Sequence, residues 1–98
     1  MNEPDLADKL TRLEETGDHA ERHTLALELS GVRDQRVFEV LVRLIQRPEL
    51  ENRRGTLIYC LEGFDCSSAA SVLKSIAETG NFEAAMQADM ILEEQRLR

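Results

Sequence analysis

Apolar residues recur along this chain at helical rather than strand spacing, and the pattern is interrupted at regular intervals. No stretch alternates apolar and polar residues over the length of a strand. The first predicted helix covers about Asp5 to Thr16, with Leu6, Leu10 and Leu13 on one face and Gly17 as its stop. Asp18 caps a second, running to Ser30 on Leu25, Ala26 and Leu29, with Gly31 after it. The third begins at Asp34 and ends before Pro48, because a proline disfavours helical geometry in the residue preceding it. Its apolar positions are Val37, Phe38, Val40, Leu41, Leu44 and Ile45, the richest set in the chain, so it is expected at the centre. A fourth helix is predicted over Glu49 to Glu62, with Leu57, Ile58 and Leu61 inward and Gly63 as its stop. Gly55 lies inside that span and implies close packing against a neighbour or a bend. The fifth spans about Ser67 to Thr79, on Ala69, Ala70, Val72, Leu73, Ile76 and Ala77. The sixth, capped by Asn81, carries Phe82, Ala85, Ala88, Ile91 and Leu92 inward and frays in the tail EEQRLR. Short connections between six helices favour antiparallel neighbours.

The helices repeat. With Gly31 placed over Gly63, Thr24 falls on Thr56, Leu25 on Leu57, Leu29 on Leu61, Val40 on Val72 and Leu41 on Leu73, an offset of 32 residues. Independently, LTRLEETGD at Leu10 to Asp18 aligns with LKSIAETGN at Leu73 to Asn81, an offset of 63, close to twice the first. One helical hairpin therefore recurs every 31 to 32 residues, the pattern of an α-solenoid. The motif Arg22-x-x-Leu25-Ala26-x-x-Leu29-x-Gly31 returns as Arg54-x-x-Leu57-Ile58-x-x-Leu61-x-Gly63, and Ala85-x-x-Ala88-x-x-x-Leu92 continues it without the arginine and glycine. On these residues the chain resembles the HEAT-like repeat family, especially its short phycobilisome-lyase-type repeats, over about residues 6 to 95. It departs from the family at Leu25 and Leu57, where alanine is usual. The resemblance implies an all-α fold, an α-α superhelix of about six antiparallel helices in three hairpin repeats, forming one domain over residues 1–98. Functions in that family range from lyase scaffolds to protein adaptors, and no active-site motif is present to transfer.

Charge narrows the partners. The 98 residues carry 19 acidic and 12 basic side chains, a formal net charge of -7. Such a field repels phosphate backbones and attracts basic proteins, so nucleic acid is not expected. No run is apolar enough to span a membrane, and the acidic start MNEPDLADKL does not look like a signal peptide. With two cysteines only, Cys60 and Cys66, a cytoplasmic protein with reduced thiols is the expectation.

Candidate chemistry is sparse. His19 and His23 stand one turn apart but lack further metal-ligand signals, Cys66 lies near a helix start, and Cys60 reads as a small buried hydrophobe. No cofactor or metal is implied. Two surfaces suit a protein partner. In a solenoid the first, third and fifth helices would line the concave side, stacking Asp8, Glu39 and Ser71 in one row, Arg12, Arg43 and Ser75 in the next, and Glu15, Gln46 and Glu78 in the third. The other surface is the last helix, where Met86 and Met90 are offset from the core stripe; they either finish the core or form a flank for a partner or a second copy. The expected function is a non-catalytic protein-binding module or adaptor. Its sharper form is a bacterial immunity protein neutralising a basic toxin. The alternatives are a scaffold related to the bilin-lyase repeat proteins and a self-associating regulatory protein, with a homodimer possible in either form.

Overall fold

In a computed structural model covering residues 1–98, the chain folds entirely into helices and turns, without strands. Six α-helices form: α1 Glu3–Glu15, α2 His19–Leu29, α3 Gln35–Ile45, α4 Gly55–Tyr59, α5 Ala70–Thr79 and α6 Phe82–Glu94. Capping explains most of the starts. Asn2, Asp18, Asp34 and Asn81 each accept a hydrogen bond from a backbone N–H of the first turn that follows. Asn2 moves the start of α1 to Glu3, two residues before the expected Asp5.

The fourth element departs most from expectation. Instead of one helix over Glu49 to Glu62, a 3-10 turn at Pro48–Arg53 leads into the five-residue α4, and the chain leaves it through turns. Arg54 is the break: its guanidinium bends back, Nε donating to the Glu51 carbonyl at 3.2 Å and Nη1 to the Ile45 carbonyl at 3.3 Å. Gly55 is buried with the Glu83 side chain lying where a Cβ would project, so the close approach expected of this glycine is to α6. Residues Ser67–Ala69 likewise form a 3-10 turn rather than the first turn of α5. None of the glycine stops uses left-handed geometry; the positive φ values belong to Arg33 and Arg96. Gly63 serves another purpose, because the guanidinium of Arg33 occupies the space a side chain there would need as it stacks 5.9 Å from the Phe64 ring.

Packing follows a regular plan. Helices α2, α4 and α6 lie side by side in that order, α1 lies beside α3, and α1–α2, α3–α4 and α5–α6 pack across. The smallest extent of the molecule, 16 Å, is what two layers of helices about 10 Å apart produce. One core of 26 buried residues runs through all six helices. Six of the seven apolar residues of α3 are buried in it and the seventh, Val42, packs half-buried against it, as the helix's central place requires. Leu50, Cys60, Leu61, Phe64, Cys66 and Ala69, contributed by the turns and 3-10 segments, complete it.

A buried arginine joins the layers. Arg22 of α2 is 4% exposed. Its guanidinium donates to the carbonyls of Leu13, Glu14 and Thr16, closing the C-terminal end of α1, whose last carbonyls have no helical partner. Arg54 does the same for α3 through Ile45. Both reach a carbonyl nine residues back, and both partners of the pair shift by 32 residues from one site to the other.

Candidate functional site

Every residue singled out on α1, α3 and α5 is exposed: Asp8, Arg12, Glu15, Glu39, Arg43, Gln46 and Glu78 all face outward, as do Ser71 and Ser75. Their arginines, however, are already engaged. Arg12 pairs with Glu21 of α2 at 3.0 Å. Arg43 grips Glu14 of α1 through two bonds, Nε at 2.8 Å and Nη2 at 3.1 Å, which holds the Glu14 carboxyl below its usual range. Gln46 donates to the Val42 carbonyl within its own helix. Asp8, Glu15, Glu39 and Glu78 make no ion pair. Gln46, Ser71 and Ser75 share a shallow polar groove between α3 and α5, which the acids do not line. The face is therefore a dispersed set of carboxylates around internally satisfied arginines.

The outer side of α6 is different. Its core face is formed by Ala84, Ala88, Ile91 and Leu92. At 3.6 residues per turn, Phe82, Met86 and Met90 lie roughly 160–240° round the helix from Ala84, on the opposite side. Phe82 is accordingly 82% exposed, against the expectation that it faced the core, and Met86 and Met90 are 41% and 42% exposed, so the two methionines do not finish the core. Ala85, also expected inside, is only half-buried, and Ala84 takes the inward place. With Ala85 these side chains line an open hollow of about 460 Å³, whose remaining lining is Asp89, Glu93 and Glu94. Arg98 folds back from the tail onto two of those acids, pairing with Asp89 and standing 3.3 Å from Glu93. Phe82 departs furthest from the inward place that helical spacing predicts for it. Its four-residue spacing from Met86, repeated at Met90, was the available signal.

The nucleophile and metal candidates do not converge. Cys66 is fully buried, its Sγ directed at the Leu61 carbonyl at 3.3 Å, and burial pushes its thiol pKa up. Gln95 pins the same turn, accepting from the Cys66 N–H at 2.8 Å and donating to the Phe64 carbonyl at 2.9 Å. Burial raises the Cys60 thiol to about 11, so neither sulfur is a ready thiolate at neutral pH. No group of three or more His, Cys, Asp or Glu side chains is placed to hold a metal ion. No helix is long and apolar enough to cross a membrane.

Compared with known proteins, the chain matches no family model, and no characterised protein or solved structure is significantly similar to it.

Proposed function

We propose that this chain is a non-catalytic protein-binding module of the HEAT-like α-solenoid kind, and that it holds a basic protein partner against the outer face of α6. Three features favour the solenoid: the ordered side-by-side packing of α2, α4 and α6, the pairing of α1 with α3, and the two arginine clasps offset by one repeat. The observation that carries the function is the stripe of Phe82, Met86 and Met90, turned outward together on one helix. It exposes on the order of 300 Å² of apolar surface, the size at which a patch on a monomer is often functional. Aromatic and methionine side chains are enriched at the centres of interfaces, and methionine adapts its shape to a partner. The acids around the stripe, with a net charge of -7 behind them, select for basic surfaces and speed their encounter.

A small basic toxin domain meets these requirements well, which makes an immunity protein the sharper form of the proposal. The carboxylates of Glu15, Glu39 and Glu78 then act at longer range, steering rather than anchoring. Affinity capture with the wild-type chain and with a Phe82→Gln/Met86→Gln/Met90→Gln variant tests the reading. A basic protein retained by the first, lost by the second and released as salt rises is the expected result. Equal retention by both would remove the α6 face from the function.

A further inference from the structure

Resting on the docking role proposed for α6, we infer that the part of the partner seated there is a single basic amphipathic helix lying along α6. Phe82, Met86 and Met90 recur every four residues, so their side chains form one ridge about 12 Å long at the helical rise of 1.5 Å per residue. A ridge of that spacing fits the groove between the four-residue rows of a second helix. Strand addition needs a free sheet edge, and the chain has no strand. Polyproline recognition needs a groove of aromatic rings, and Phe82 is the one ring lining this hollow.

Charge sets the sign of the incoming helix. Asp89 and Glu93 stand one turn apart beside the ridge, and together they already hold a guanidinium, that of Arg98. The pair is a seat for a cation, and a lysine or arginine of the partner takes it by displacing Arg98. The same acids oppose a second copy of this chain. An antiparallel two-fold pairing centred on Met86 would set Glu83 of one copy against Asp89 of the other, between molecules that each carry -7.

The test is fluorescence anisotropy on the full chain with labelled peptides of roughly 14 residues, about four helical turns. One peptide places leucines and lysines at helical spacing, and a second has the same composition in strict alternation. The helical peptide is expected to bind about tenfold tighter than the alternating one, a difference of about 1.4 kcal/mol. Phe82→Gln/Met86→Gln/Met90→Gln, checked for folding by circular dichroism, should weaken it at least about tenfold, and Arg98→Ala should tighten it about threefold by freeing the acids. Equal binding of the two peptides, both lost in the glutamine variant, would overturn the helix while leaving the α6 docking role intact. Equal binding of the helical peptide to wild type and variant would overturn both, since charge alone would then explain it. A concentration-dependent dimer by light scattering, abolished in the variant, would make a second copy the occupant and overturn the inference. Unchanged affinity in Arg98→Ala would overturn the cation seat.

Discussion

Charged residues do different work in the two halves of this molecule. In the N-terminal half they bind helix to helix. Lys9 pairs with Glu28 and Arg12 with Glu21 between α1 and α2, while Arg36 pairs with Glu3 and Arg43 with Glu14 between α3 and α1. In the C-terminal half no ion pair links two helices. The one cluster there joins the tail residue Arg98 to Asp89 and Glu93 of α6, beside the exposed stripe. The exposed large hydrophobics follow the same division: Phe82, Met86, Met90 and Tyr59 lie in the second half, against Leu27 and the terminal Met1 in the first. The difference teaches that a surface rich in charge need not be the surface that binds. Charges satisfied within the chain stabilise it, whereas acids beside an unpartnered apolar ridge are available to something else.

That division predicts a double dissociation between stability and binding. The largest effect falls on the buried joint between α1 and α2, inside the N-terminal half. Arg22→Met leaves three carbonyls at the end of α1 without their donor, and a loss of about 3 kcal/mol is expected. For a domain of this size the melting temperature, followed by circular dichroism, should fall by more than about 10 °C. Next comes Phe82→Gln/Met86→Gln/Met90→Gln, which should lower affinity for the partner by about 30-fold or more, measured by calorimetry, and leave the melting temperature within about 2 °C. A drop in stability as large as that of Arg22→Met would show the stripe to be structural and break the comparison.

Removing acids sharpens the contrast. Asp89→Asn/Glu93→Gln/Glu94→Gln should weaken binding about fivefold and flatten its salt dependence with little change in melting. In the first half, Glu14→Gln should do the reverse. It breaks the two-bond grip of Arg43, lowers stability by about 0.5–1 kcal/mol, and leaves affinity unchanged by titration. The smallest effect is acid loosening of α1. Arg36 holds Asp34 down at about 2 and Glu3 below its normal value, and Arg43 holds Glu14 down. Carboxyl groups depressed by folding contribute stability that is full above their unfolded values, about 3.8 for Asp and 4.5 for Glu, and is lost as pH falls toward about 2. Hydrogen exchange between pH 5 and about 3 should therefore show α1 losing protection before α5 and α6.

Much of this fold is legible in the sequence, because leucine spacing and capping residues act locally. Five of the six helices lie near their expected places, and every leucine assigned to the core is buried. The fourth element was not legible, since Arg54 breaks it by reaching the Ile45 carbonyl nine residues back, a side-chain contact that apolar spacing does not encode. Phe82 was misplaced for a related reason. Ala84 gives a weak hydrophobic signal beside Ala85, yet it faces the core with Ala88, so the larger side chains are turned outward. Met86 and Met90 were recognised as offset from the core, and the structure resolves their two readings in favour of exposure. The candidate rows on α1, α3 and α5 were correctly read as surface, but spacing alone does not reveal that Arg12 and Arg43 are engaged by glutamates elsewhere in the chain.

The most direct test is site-specific photocrosslinking in native extract, with a benzophenone side chain placed either at Met86 or at Glu39. The account predicts that the probe at position 86 captures one basic protein and the probe at position 39 does not. Capture from position 39 alone would move the interface to the face of α1, α3 and α5 and contradict the account.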